Sequence, residues 1–235
     1  MVGVHPNTVR LYEELALIPK PTRKDNGYRV FTDLHVDIMR LARIAFQIEV
    51  LQNGLRKKIV NMVKTAAAGD FDMALSMTDE YLLQLRCEQK NAEEAIEIVR
   101  QILSGHSGSQ SLQLKRNDAA KLLGISMDAL RNWEMNGLLT VKRMENGYRV
   151  YTGEDIDRLK IIRSLRCAGY SLEAILHMLS VLSADPNADI AKALDTPNPN
   201  TDIISVYDKL LTSLSLAEGN AKRMRIMLCD IKRKY

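Results

Sequence analysis

Cysteine is scarce in this chain: three occur among 235 residues, and no two lie close together in sequence. Cys87, Cys167 and Cys229 form no CxxC pair, and their odd number argues against a framework of disulfides. Reduced thiols are typical of cytosolic proteins. The sequence therefore predicts a cytoplasmic protein without a cysteine-based metal site.

Long apolar runs are also lacking. The longest are far shorter than the roughly 20 residues that a helix needs to cross a bilayer. The amino terminus has no basic segment followed by an apolar stretch. We therefore expect neither a membrane span nor a secretory signal.

The signatures of common enzymes are missing too. There is no G-x-x-x-x-G-K-[ST] loop, no G-x-G-x-x-G after a strand and no G-x-S-x-G elbow. The four histidines show no H-x-x-x-H or H-E-x-x-H spacing. The sequence predicts no catalysis, no bound cofactor and no metal.

The charge is distributed unevenly. The net charge is only +4, yet residues 20–29 hold four basic side chains against one acid, and residues 222–235 hold six against one. Clustered cations are what binding to a phosphate backbone requires. A solvated loop or helix end remains the alternative for each cluster.

What the chain does contain is a long internal repeat. It spans about 40 residues in each half, and such self-similarity points to two related units. The five residues Asn-Gly-Tyr-Arg-Val occur in both copies. The matching stretches are 7–18 with 128–139, 26–30 with 146–150, and 32–45 with 152–165.

Each copy continues into a heptad pattern, from Leu75 to Leu103 and from Ile203 to Ile231. Apolar residues spaced alternately by three and four predict long helices with a seam for a partner helix. The alternative is that each helix lies on the core of its own domain. The predicted segments are 1–70, a long helix at 71–104, a Gly/Ser linker at 105–112, a second domain at 113–183, a Pro/Asn-rich connection at 184–202 and a long helix at 203–235.

The second copy reads as a helix, a tight turn and a helix. Gly124 is expected to end the first helix and Ser126 to cap the second. The second helix of such a motif can lie in the major groove of DNA. We expect Asp128, Arg131 and Asn132 to be exposed, Ala119, Ala120, Leu122 and Leu123 to face the core, and Leu130 and Trp133 to pack inward or edge a phosphate.

The repeated Asn-Gly predicts a β-hairpin with a type I′ turn. In the second copy its arms would be "VKRME" and "YRVYT", with Arg143 and Arg149 on opposite arms. Arg23 and Arg29 hold the same places in the first copy. Such a wing can place arginines on the phosphate backbone or in the minor groove; the alternative is a hairpin that only closes a domain edge.

These stretches resemble the DNA-binding domain of MerR-family bacterial transcription regulators. The shared pattern runs from T-x-R-x-Y-E through G-L-L and G-Y-R-x-Y to G-[FY]-S-L-x-x-I. The resemblance implies a mainly α fold with two winged helix-turn-helix domains, each with a small β-hairpin and each followed by a long coiled-coil-type helix. In this chain the first copy starts at "MVGVHPNTVR", so most of its first helix is missing, and it lacks the Gly-Tyr-Ser-Leu stretch at 169–172.

The resemblance also implies function. A nucleoid-associated protein would bind a pseudo-palindromic double-stranded promoter and distort it, acting on RNA polymerase indirectly. The family's DNA contacts map onto Thr8, Arg10, Tyr12, Arg23, Tyr28, Arg29, Arg131, Asn132, Trp133, Arg143, Tyr148 and Arg149.

Several alternatives stay open at this point. The first two alternatives are an internal pseudo-dimer, in which one chain imitates the family's homodimer, and a dimer of two chains. A small-molecule effector has a candidate pocket near Phe71, Met73, Met77 and Tyr81, or around Met178. The rival functions are a protein-interaction module and a DNA-architectural protein whose first copy no longer reads DNA.

Overall fold

The fold is built almost entirely from helices, which confirms the predicted mainly α class. The computed structural model describes residues 3–47, 51–104, 112–142, 147, 149–184 and 203–235. Within these ranges no helix is long and apolar enough to cross a membrane. The elements are α1 Pro6–Glu14, β1 Thr22–Arg23, β2 Arg29–Val30, α2 Asp33–Ala45, α3 Leu55–Ala67, α4 Phe71–Leu103, β3 Gln113–Lys115, α5 Arg116–Leu123, α6 Met127–Met135, β4 Val150–Thr152, α7 Gly153–Cys167, α8 Leu172–Ala184 and α9 Ile203–Lys234.

The chain divides into two compact units, and each draws on both halves of the sequence. The first unit comprises residues 1–87 and 213–235, and the second comprises 88–212. The predicted long helices exist as α4 and α9, but each is divided between the units. The boundaries of the two units therefore differ from the boundaries of the predicted segments. The predicted linker at 105–112 and connection at 184–202 lie almost wholly outside the described residues.

In the first unit, α4 and α9 run antiparallel. Arg225 Nε lies 2.7 Å from Asp79 Oδ1. Asp72 pairs with Lys232 one heptad before Asp79, and Arg86 pairs with Glu218 one heptad after it. The residue numbers on α4 therefore rise as those of their partners on α9 fall. We call these three pairs the ion-pair ladder.

The seam beside this ladder is apolar. Its side chains on α4 and α9 were predicted from the heptad pattern, and most of them are buried, although Leu75 is only half-buried. In the first unit the fully or nearly fully buried members are Thr78, Leu82, Leu85, Leu214, Ala217, Ala221, Met224, Leu228 and Ile231. Burial of these positions stabilises the unit more than its exposed ion pairs do.

The second unit contains the predicted helix-turn-helix. Gly124 adopts the left-handed conformation at φ 61° and ends α5, and the Ser126 hydroxyl accepts a hydrogen bond from the Ala129 amide at 3.1 Å. Both predicted caps are confirmed. Leu122 is 56% exposed, so the prediction that it faces the core is wrong.

A buried ion pair ties this motif to α4. Arg163 on α7 makes two bonds to the Glu88 carboxylate, at 2.7 and 2.9 Å. Its Nε donates to the carbonyl of Leu123, the last residue of α5, at 2.6 Å. The guanidinium therefore joins α4, α5 and α7 at one point.

The second unit contains a strand pairing that the sequence analysis did not predict. β4 pairs antiparallel with β3, the short strand ahead of α5, with Leu114 opposite Tyr151. On the side of the predicted partner arm, the Val150 amide donates to the Lys142 carbonyl at 3.2 Å. The sequence analysis missed β3 because three residues are too few for an alternation pattern. The predicted hairpin tip at Asn146 lies outside the described residues.

The turn in the first unit is not type I′, which corrects the sequence prediction. That turn needs positive φ at both central residues, and of Asn26 and Gly27 only Gly27 has it, at 81°. The Gly27 amide donates to the Lys24 carbonyl, and the Lys24 amide donates to the Tyr28 carbonyl. The loop thus has three residues and ends at a left-handed glycine, which is a common alternative hairpin.

Candidate nucleic-acid interface

The repeated arginine of Asn-Gly-Tyr-Arg-Val makes the same ion pair in both units. In the first, Arg29 Nε lies 2.6 Å from Glu13 Oε2 on α1. In the second, Arg149 Nε lies 2.9 Å from Glu134 Oε2 on α6. The strand that leaves the repeated turn is therefore fixed to the second helix of each motif. Both arginines remain about one-third exposed, at 30% and 36%.

The second unit adds two further partners to this pair. Arg116 Nη2 lies 2.7 Å from Glu134 Oε2, and the Tyr151 hydroxyl donates to Glu134 Oε1. Burial, together with the hydrogen bond to Glu134, raises the pKa of Tyr151 to about 12. The tyrosine is therefore a neutral donor at physiological pH. The Glu134 carboxylate holds α5, α6 and the strands together, and its side chain is only 8% exposed.

This network was not predicted, although a signal for it exists. Glu13 and Glu134 occupy the same position in the two copies. A charged residue kept in both copies beside a kept arginine suggests a pair. The sequence could not show that residues 16 or 15 positions apart meet in space.

The exposed face of α6 carries the predicted readers. Arg131 and Asn132 are both exposed, as is Asp128 in the first turn. Asn132 is ordered by Asn136, whose Nδ2 donates to its carbonyl at 2.8 Å and to its Oδ1 at 2.7 Å. In the first unit Arg10 is exposed on α1, and Thr8 is half-buried.

A cleft lies between α1 and the hairpin of the first unit. Its volume is about 720 Å³, and its lining includes Arg10, Asn26, Tyr28 and Arg29. Tyr28 is 73% exposed. Arg23 is exposed on the opposite arm, and its Nη1 donates to the Gly27 carbonyl at 3.4 Å. The cleft thus combines cations, an amide and an aromatic ring, a combination suited to a nucleic-acid backbone.

Two predicted contacts are largely or partly buried. Trp133 is only 6% exposed, which leaves little of its side chain available to DNA. Its counterpart Tyr12 is half-buried against Phe46, with ring centroids 6.1 Å apart, and burial raises its pKa. Both aromatics anchor the second helix of the motif to its unit. Arg143 and Tyr148 lie outside the described residues.

The cysteines of the long helices do not converge. Cys87 is exposed on α4, while Cys229 is half-buried on α9. The register of the ion-pair ladder sets Cys229 opposite Leu75, about 18 Å along the axis from Cys87. In the part of the chain that the structure describes, no three side chains of the metal-binding types form a group.

The side chains proposed to line an effector pocket differ in their exposure to solvent. Met73 is 54% exposed, whereas Tyr81 and Met178 are buried at 7% and 0%. Met77 accepts a hydrogen bond from the Thr65 hydroxyl at 3.5 Å. The effector pocket stays a prediction.

Comparison with known proteins identifies the family of this chain. The model of the MerR HTH family regulatory proteins matches residues 115–182, and that of the MerR family regulatory proteins matches residues 1–31. The HTH-type transcriptional regulator CueR of Salmonella typhi is 36% identical over 113 residues, which cover 44% of this chain and 81% of that protein. This chain belongs to the MerR family.

Other MerR-family relatives match shorter stretches. CueR of Escherichia coli O6:H1 is 35% identical over 80 residues, covering 32% of this chain and 58% of that protein. ZntR of Escherichia coli K12 is 38% identical over 65 residues, covering 27% and 46%. The chain therefore spans about half the length of these relatives. No solved structure matches it significantly.

Proposed function

We propose that this MerR-family chain is a transcription regulator that reads promoter DNA with α6 and, in the first unit, with α1. Family membership supports this function, as do the exposed arginines on the two helices, Arg10 and Arg131. The observation that carries the proposal is the repeated ion pair from each hairpin strand to the neighbouring helix. A rigid joint of this kind presents the helix and the hairpin to DNA as one surface.

The side chains divide into readers and positioning residues. Arg131 and Asn132 are proposed to meet base edges, because arginine and asparagine match guanine and adenine in the major groove. Arg10 and Thr8 have the corresponding role in the first unit. Arg23 and Tyr28 meet phosphates, and Arg143 and Tyr148 are assigned the same role from the repeat.

Arg29 and Arg149 are proposed chiefly to position the hairpins. Their guanidinium groups are already engaged by Glu13 and Glu134 at under 3 Å. The exposed third of each side chain still adds positive potential near a phosphate.

We further propose that one chain supplies both halves of a two-fold reader. The antiparallel ladder supports this pseudo-dimer, as does the division of the chain into two compact units that each contain one copy and parts of both long helices. Promoter distortion and an indirect effect on RNA polymerase are part of the same proposal, and family membership supports them. Sedimentation at nanomolar concentration tests it: a single-chain mass is expected, and a persistent dimer would overturn the pseudo-dimer.

The central test is a gel-shift titration on the region upstream of the protein's own gene. Arg131→Ala should weaken binding about 10- to 100-fold, because one base-edge contact contributes roughly 1–3 kcal/mol. The matched control is Arg100→Ala, which removes an exposed arginine of α4 that pairs only at 4.0 Å with Glu97. Equal binding by wild type and Arg131→Ala would contradict the proposal.

Salt dependence separates the two kinds of contact. Arg23→Ala should weaken binding to all sequences alike and lower the salt slope by about 1, as loss of one phosphate contact does. Arg131→Ala should instead relax the sequence preference. If both variants bind specific and random DNA with an unchanged ratio, the DNA-architectural alternative is favoured.

A further inference from the structure

The two proposed reading helices differ in the side chains that they expose. The repeat aligns α1 with α6, and both carry an exposed arginine at the same place, Arg10 and Arg131. The next residue is Leu11 on α1 and Asn132 on α6. Both of these side chains are exposed, Leu11 to 49%. Beside a shared cation, one helix therefore presents an apolar group and the other an amide.

The amide on α6 is held in a defined orientation. Asn136, one turn later, donates from its Nδ2 to Asn132 Oδ1 at 2.7 Å and to the Asn132 carbonyl at 2.8 Å. Oδ1 keeps a second lone pair, and the NH₂ group lies at the other end of the same amide. An acceptor beside a donor is what the N6 and N7 atoms of adenine require in the major groove. The pair of asparagines thus presents an amide suited to adenine.

The first unit has leucines at both positions of this amide pair, Leu11 on α1 and Leu15 directly after it. The Leu15 amide donates to the Leu11 carbonyl at 2.9 Å, so the two side chains lie one turn apart on the same face. Leu15 is 47% exposed. Such a pair offers no hydrogen bond to a base edge, but it can contact the methyl group of thymine.

The exposure of these leucines belongs to their position in the motif. In the second unit α5 packs against α6, and Asn132 and Asn136 are nevertheless exposed. A helix in that place therefore does not cover this face. Adjacent apolar side chains on an exposed face gain free energy when a partner removes them from water. Because Leu11 follows the proposed reader Arg10 directly, the DNA that meets the arginine also meets the leucine.

We infer that the two half-sites are read by different chemical groups of the DNA. Asn132 reads N6 and N7 of an adenine in one half-site, and Leu11 reads the methyl group of a thymine in the other. Asn136 is a positioning residue for Asn132. The inference rests on the proposed function and adds which base groups each helix requires.

The test uses the full-length chain and the duplex that it selects from a random DNA library. One thymine at a time is changed to uracil, which removes only the methyl group, and one adenine at a time to 7-deazaadenine, which removes the N7 acceptor. Uracil should weaken binding about fourfold at a position in one half-site, as loss of one apolar methyl contact does. The change to 7-deazaadenine should weaken binding about tenfold in the other half-site, because one bond of a bidentate pair is lost.

Protein variants assign each effect to its helix. Leu11→Ala should abolish the uracil effect and leave the 7-deazaadenine effect, whereas Asn132→Ala should do the reverse. Asn136→Ala removes the group that orients Asn132, so it should reduce the 7-deazaadenine effect and leave the uracil effect unchanged. Circular dichroism checks that each variant keeps its helices, as expected for changes to exposed side chains.

The outcomes separate this inference from the proposed function. If the wild type selects no sequence from the library, sequence-specific DNA reading is wrong, and the inference falls with it. If it selects a site in which both half-sites respond to the same base modification, DNA reading stands and the inference is overturned. A uracil effect that persists in Leu11→Ala overturns the inference in the same way.

Discussion

The two copies of the repeat bury matching positions to different depths. Phe31 is 45% exposed while Tyr151 is fully buried, and Glu13 has one arginine where Glu134 has two arginines and a tyrosine. The shared Asn-Gly-Tyr-Arg-Val sequence is therefore not what closes the fold around it. The strand and helix ahead of the motif, present in the second unit, decide how firmly the motif is held.

The largest difference in stability is expected between substitutions of Arg163 and of its repeat partner Arg43. Arg163→Ala would leave Glu88 buried without its counter-charge, which should destabilise the second unit by about 3–5 kcal/mol. Arg43 is exposed, so Arg43→Ala should cost the first unit about 1 kcal/mol or less. Amide exchange in α5–α7 and in α1–α3 measures the two units separately.

A double variant shows whether the loss of stability in Arg163→Ala comes from the unpaired charge or from lost packing. Replacing both Arg163 and Glu88 by methionine removes the unpaired charge and fills a similar volume, so most of the lost stability should return. If the double variant is as unstable as Arg163→Ala, the ion pair is not the cause.

The next contrast is between the two glutamates. Glu134→Ala removes a partner from Arg116, Arg149 and Tyr151, and should destabilise the second unit by roughly 2–3 kcal/mol. Glu13→Ala removes one partly exposed pair, at a cost of about 1 kcal/mol. Denaturant unfolding followed by the fluorescence of Trp133, the one tryptophan, reports the second unit. If each substitution destabilises its own unit by the same amount, the expected difference between the two glutamates is wrong.

A pH effect should be confined to the first unit. Burial lowers the pKa of His35 below its usual 6.5, so the unfolded chain takes up the proton first as the pH falls. The contribution of His35 is therefore complete above about pH 6.5 and is lost as the pH drops through the lowered pKa. The protection of the α2 amides, expressed relative to the intrinsic exchange rate at each pH, should fall at mildly acidic pH.

Asp155 provides the matched replacement for His35. It fills the same place in α7, where its carboxylate accepts from the Thr152 amide at 2.9 Å. In His35→Asp, exchange in α2 should lose this acid sensitivity near neutral pH. An unchanged pH profile would assign the effect to another group.

The smallest expected effect concerns the ion-pair ladder. Asp79→Arg places like charges beside Arg225 and should destabilise the first unit only slightly, because both side chains are half-exposed. Exchanging the pair, Asp79→Arg with Arg225→Asp, should restore stability. The shift should shrink at high salt; an effect that is independent of salt would contradict an electrostatic origin.

Local signals in the sequence predicted much of the fold. Gly124 and Ser126 marked the ends of two helices because each acts on its own neighbouring backbone. The heptads marked α4 and α9, and the repeat located both motifs. The exposure of Arg131 and Asn132 followed from helical periodicity. These features depend on residues within a few positions of one another.

Other features depend on residues that are distant in sequence. The pairing of β3 with β4 and the bond from Arg163 to Glu88 join residues 35 or more positions apart. Trp133 had two open interpretations, and only the surrounding helices decided that it is buried. A pattern of residue types contains no information about which distant partner fills a given space.

By itself, then, the sequence determined the helix-turn-helix of the second copy, the partial first copy, their long helices and the left-handed glycines, because these follow from local backbone preferences. The tertiary structure decided that the repeated arginine meets a glutamate, that each compact unit combines both halves of the chain, and that one copy is closed while the other has an open cleft. Ion pairing and burial depend on where distant segments meet, and that is fixed only when the core is packed.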